Sequence, residues 1–89
     1  MPHTTLGSLL RASRSRAGLT KAALARQCEQ LRPWAAGISD RALGYWERDE
    51  RLPSAVQLNA IAEVVGLSAL ERIDALKLAE EGARRAIAA

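Results

Sequence analysis

Leu6, Leu9, Leu10, Ser13 and Ala17 recur at i, i+3, i+4, i+7 and i+11, the spacing of one face of an α-helix. A first helix is therefore expected to start near Leu6, after a frayed tail, and to stop at Gly18, which suits a left-handed C′ position. Thr20 is a natural N-cap for a second helix, whose apolar residues Leu24, Ala25, Cys28 and Leu31 again line one side. Pro33 and Gly37 punctuate the stretch that follows, and Ile38 is expected to tuck back into the core. Ser39 then caps a third helix with Asp40 at the positive end of its dipole. On that helix Ala42, Leu43 and Trp46 share one side, while Asp40, Arg41, Gly44, Tyr45 and Arg48 project from the other. Ser54 with Gln57 forms a capping box for a fourth helix, whose inner face is Leu58, Ile61, Ala62 and Val65. Gly66 ends it, Ser68 with Glu71 opens a fifth, and Leu76, Ala79, Ala83 and Ile87 keep a narrow apolar line along that last helix.

Composition agrees with an all-α fold: Phe is absent, β-branched residues are scarce, and Ala, Leu, Arg and Glu abound. Eighty-nine residues are enough for one modest core and too few for two. The expected organisation is a tail over 1–5, a domain over 6–78 and a C-terminal helix extension over 79–89. The net charge of +3 is unevenly spread, because residues 1–28 hold five basic groups and no acid. That third of the chain either faces an anion, nucleic acid foremost, or is simply a solvated basic face.

Gly44 has a cost of about 1 kcal/mol relative to alanine in a helix interior, which close approach to another surface would justify. Arg14 lies at the edge of the first apolar stripe, beside Leu10 and Ala17, and so is expected to be partly buried and in need of a carboxylate. Cys28 is the sole thiol and sits within a stripe, so it reads as a small buried hydrophobe and excludes an internal disulfide. No apolar run approaches the roughly 20 residues of a membrane span, and a cytoplasmic protein is expected. His3 is the only histidine, no metal-ligand spacing or nucleophile with its base is present, and no glycine-rich phosphate loop occurs. Neither an enzyme nor a cofactor is expected.

Several pieces in order carry a resemblance. Arg14 to Thr20, Leu24-Ala25, Gly37-Ile38-Ser39, Trp46-Glu47-Arg48, Leu52-Pro53-Ser54, Leu58, Ile61-Ala62 and Val65-Gly66-Leu67 together resemble the Cro and lambda-repressor type of helix-turn-helix, the Xre family. The resemblance covers residue 6 to about residue 75. It implies a compact five-helix bundle in which helices two and three form the DNA-binding pair, and a transcriptional regulator, here a repressor, that binds operator DNA as a homodimer. It also implies that Arg14 and Glu47 pair across the bundle as a structural salt bridge. Base contacts would come from Asp40, Arg41, Gly44 and Tyr45, with Thr20, Lys21, Ser39, Arg48 and Arg51 on the DNA backbone. Arg41 suits guanine O6 and N7, Asp40 either accepts from cytosine N4 or orients Arg41, and Tyr45 meets a thymine methyl or a phosphate.

Two departures stand out. About eight extra residues, near Glu29 to Ala36, extend the turn between helices two and three. Trp34 within them is expected as a lid over the core, the alternative being a reach toward DNA or a partner. Asp49 stands where such proteins often have glycine for a left-handed turn. A second class of function stays open: a protein-interaction module, such as an antitoxin or adaptor, binding a protein partner through the C-terminal helix or the Trp34 loop. Leu70, Ile73 and Leu76 belong either to a dimer seam on that helix or to the domain's own core.

Overall fold

The computed structural model describes residues 3–88 as five helices: α1 (Leu6–Arg16), α2 (Lys21–Leu31), α3 (Asp40–Glu47), α4 (Ala55–Val65) and α5 (Ala69–Ala88). Met1 and Pro2 of the expected tail, and the Ile87 side chain of the expected apolar line, lie outside the described residues. Thr5, assigned to the tail from sequence, instead caps α1 by accepting a hydrogen bond from the Ser8 amide at 3.2 Å. Thr20, Ser39 and Ser54 cap α2, α3 and α4 in the same way, and Gln57 returns the bond to Ser54 at 2.9 Å. Ser68 and Glu71 exchange the same pair of bonds at the start of α5.

Helix α1 packs against α3, α4 and α5, and α2 packs against α3 and α4. The core between them is built from Leu6, Leu9 and Leu10, from Leu24 and Cys28, from Leu43 and Trp46, and from Leu58, Ile61, Ala62 and Val65. Ile38 packs against it from the loop. Ser13 is buried among these leucines without penalty, since its hydroxyl donates to the Leu9 carbonyl at 2.7 Å. Ala17 and Leu31, expected in the apolar stripes, are exposed at the C-terminal ends of α1 and α2.

The face of α5 differs from the expected one. Ala75 is buried and Leu78, Ala79 and Gly82 are partly so, at i, i+3, i+4 and i+7, whereas Leu76 is 49 % exposed and Ala83 is exposed. Leu70 and Ile73 are likewise outside the core, at 75 % and 48 % exposure. A β-carbon on Gly82 would stand 3.1 Å from Leu52, so glycine there lets α5 lie close on the segment joining α3 to α4.

The extended turn is docked rather than loose. Gln57 donates to the Ala36 carbonyl at 2.8 Å, Arg32 pairs with Glu63 of α4, and Ala35 is buried. Gly37 closes the turn at φ +86°, a conformation open to glycine. Trp34 is not a lid: it is 68 % exposed, with the Arg32 guanidinium 5.3 Å from its ring centroid. Ala35 occupies the place at the core instead, and the next residue's link to Gln57 leaves the indole outside.

Candidate nucleic-acid interface

Helix α3 has one packed side and one open side. Leu43 and Trp46 are buried, Ala42 is partly buried, and Asp40 and Arg41 are exposed. Tyr45 lies between these extremes, packed against the core at one edge and open at the other. Its ring gathers three guanidinium groups, with Arg51 at 4.5 Å, Arg48 at 5.5 Å and Arg41 at 5.8 Å from the centroid. Such cation–π contacts place positive charge over a polarisable face and hold flexible arginines in register. Ser39, Arg41, Ala42, Tyr45 and Arg51 line a shallow depression of about 320 Å³ at this spot.

Arg41 is steadied by Tyr45 rather than by Asp40: its Nε donates to the Tyr45 hydroxyl at 3.2 Å, one helical turn on. Among the described residues Arg41 and Arg51 make no ion pair, although the Arg51 charge is felt at Glu50. Arg48 is held by Glu50, with Nε and Nη2 at 3.1 and 3.2 Å from the two carboxylate oxygens. That pairing raises the Arg48 pKa and lowers the Glu50 pKa. Gly44, expected on the open face, is covered. A β-carbon there would be 3.1 Å from Arg48 Nη1, so the arginine lies flat on the helix and itself forms the surface. Lys21 opens α2 directly after the Thr20 cap and is partly buried.

Two long-range links fix α3 against the bundle. Arg14 Nε and Nη2 donate to the two oxygens of Glu47 at 2.7 and 3.0 Å, and Nη1 donates to the Leu19 carbonyl at 2.9 Å. One guanidinium thus ties α1, the turn after it and the end of α3. The Glu47 hydrogen bond holds the Arg14 pKa above its ordinary value. The second link escaped sequence reading. The Asp49 carboxylate accepts from the Gly7 amide at 2.9 Å, and a β-carbon on Gly7 would fall 2.5 Å from the Glu47 carbonyl oxygen. A glycine inside an apolar-periodic helix was the available signal for such a close approach.

Cys28 is fully buried, and desolvation pushes its thiol up to about 11, so it stays protonated near neutrality. Among the described residues no three His, Cys, Asp or Glu side chains gather where they could hold a metal ion. No helix of the described residues is long and apolar enough to cross a membrane.

An exposed, arginine-rich side on a helix that follows another across a turn, with its other side locked into a five-helix bundle, defines a helix-turn-helix domain. The chain belongs to the helix-turn-helix domain family, whose model it matches over residues 5–76. This is a class of DNA-binding domain. No curated protein and no solved structure matches the chain.

Proposed function

We propose that this domain is a sequence-specific, double-stranded DNA-binding transcriptional regulator of the Cro and lambda-repressor (Xre) type, acting in the cytoplasm as a repressor. In this reading α3 enters the major groove. The observation that carries it is the set of three arginines on Tyr45, two of them in no ion pair among the described residues, on the open side of α3. The Tyr45 hydroxyl engages only Nε of Arg41, which leaves the terminal nitrogens for guanine O6 and N7. Asp40 accepts from cytosine N4, and Tyr45 meets a thymine methyl. Thr20, Lys21, Ser39, Arg48 and Arg51 hold the phosphates, the helix N-termini adding their amide groups.

The domain binds as a homodimer through the outer side of α5, where Leu70, Ile73 and Leu76 are exposed. That helix carries four acidic and four basic residues, so the net +3 of the chain lies wholly outside it. It is the surface on which two cationic domains meet without repulsion. Two copies would set half-sites about 34 Å apart. The second reading, a protein-interaction module, draws on the exposed Trp34.

Selection from a randomised duplex pool, repeated at two salt concentrations, separates the two. A consensus that is lost in Arg41→Ala, with affinity falling steeply as salt rises, is the expected result. Absent or salt-insensitive binding would favour the interaction module.

A further inference from the structure

Glu50 has no part in the reading given above, yet among the described residues it is the carboxylate that an ion pair ties to the arginine cluster. It sits two residues beyond the Arg48 cap of α3, in the turn where Asp49 takes φ 59°. The Glu50 amide donates to the Tyr45 carbonyl at 3.0 Å, which fixes the backbone and brings the side chain back along the helix. There both carboxylate oxygens meet the Arg48 fork, at 3.1 and 3.2 Å. The same two donors would grip two oxygens of a phosphate.

We propose that Glu50 is an internal stand-in for a DNA phosphate: its carboxylate fills the anion position at Arg48, and docking on a duplex exchanges it for the backbone. The inference rests on the DNA-binding reading. Both side chains are about half exposed, at 56 % and 49 %, so packing does not trap the pair and a phosphate can reach it. Exposed ion pairs are weak, which makes the exchange feasible on a site that offers good contacts elsewhere. Gly44 and the Tyr45 ring cradle Arg48 in its retracted position, so the exchange moves a guanidinium and leaves the backbone alone. The consequence is a lower affinity for duplex backbone. Binding to arbitrary sequence is almost wholly electrostatic. Neutralising one of three cations in the free protein therefore weakens it by the cost of the exchange.

The test is the affinity for a short duplex of randomised sequence, measured against salt concentration, for the wild-type chain, Glu50→Gln, Arg48→Gln and the double variant. Glu50→Gln is expected to bind about two- to fivefold tighter and to steepen the log–log salt slope by about 0.9. The gain should shrink to less than half when Arg48 is already glutamine, because the anion position is then gone. Glu50→Ala, which also keeps the fold since the residue is exposed, should repeat the result. A gain of equal size in both Arg48 backgrounds would make Glu50 a diffuse charge and overturn the proposal, as would no gain at all. A wild-type chain that binds no duplex at low salt would instead bring down the DNA-binding reading itself.

Discussion

Asp49 occupies the left-handed position that ends α3, at φ 59°. Its amide donates to the Trp46 carbonyl, and the next amide donates to that of Tyr45, the paired bonds of a Schellman stop. Glycine would take this conformation with less strain, but glycine has no carboxylate to accept from the Gly7 amide at the start of α1. The cap is worth more than the relief, since an N-terminal acceptor contributes about 1 kcal/mol or more and Asp tolerates the left-handed region well. Asp49→Gly is therefore expected to lower stability by roughly 0.5 kcal/mol in urea unfolding, the cap less the strain relieved; an increase would mean that strain dominates. Glu47 offers a larger effect. Its side chain is 6 % exposed and Arg14's is 17 %, so Glu47→Ala leaves a largely buried cation unpaired. A loss of about 3 kcal/mol, a melting temperature lower by roughly 10 °C or more, is expected from calorimetry. The need of Arg14 for a carboxylate was legible from its place at the edge of a stripe. The partnership of Gly7 with Asp49 was not, because 42 residues separate them and, although each is unusual in its own place, nothing local names the partner.

At the scale of elements, the helix starts were readable because a cap is a local event. A hydroxyl, a backbone amide three residues on and sometimes a returning side chain are all that it needs, as at Ser54–Gln57 and Ser68–Glu71. Glu71 adds a tertiary duty, accepting two bonds from Arg16 of α1 at 2.9 and 3.3 Å. The Arg16 guanidinium first, and the Ser68 amide second, lower its pKa from 4.5 to about 2. A carboxylate with a depressed pKa in the folded state stabilises fully above pH 4.5, and this contribution drains away as pH falls toward 2. Glu71→Gln keeps an N3 residue able to complete the capping box and removes the charge. The melting-temperature gap between wild type and variant should be widest above pH 4.5 and close near pH 2; a gap independent of pH would deny the charge any role. Which side of α5 is inside was not readable in the same way. Apolar residues lie around much of that helix, and its packing on α1 and on Leu52 selects the Ala75, Leu78, Ala79 and Gly82 side.

For the molecule as a whole, that selection leaves Leu70, Ile73 and Leu76 at the surface. If they form the seam proposed above, Leu70→Asp combined with Ile73→Asp should give a monomer by sedimentation while leaving helix content unchanged. A dimer that survives both charges would place the interface elsewhere. The same global view separates the basic groups by use. Of the five in the first 28 residues, Arg14 and Arg16 are spent inside the fold, on Glu47 and Glu71. The dense positive cluster comes instead from Arg41, Arg48 and Arg51, in a region that reads as mixed charge along the chain. By itself the sequence determined the five helices, the caps of α2 to α5, and the all-α class, because hydrophobic period and capping act within a turn or two of chain. Only the tertiary structure decided that Trp34 points away from the core, that Gly44 lies beneath Arg48, that Tyr45 collects three arginines and which side of α5 is covered. The covered side of α5 and the outward Trp34 depend on contacts between separate segments, whereas Gly44 beneath Arg48 and the arginines on Tyr45 lie within residues 41–51 and turn on side-chain rotamers that the hydrophobic pattern does not encode.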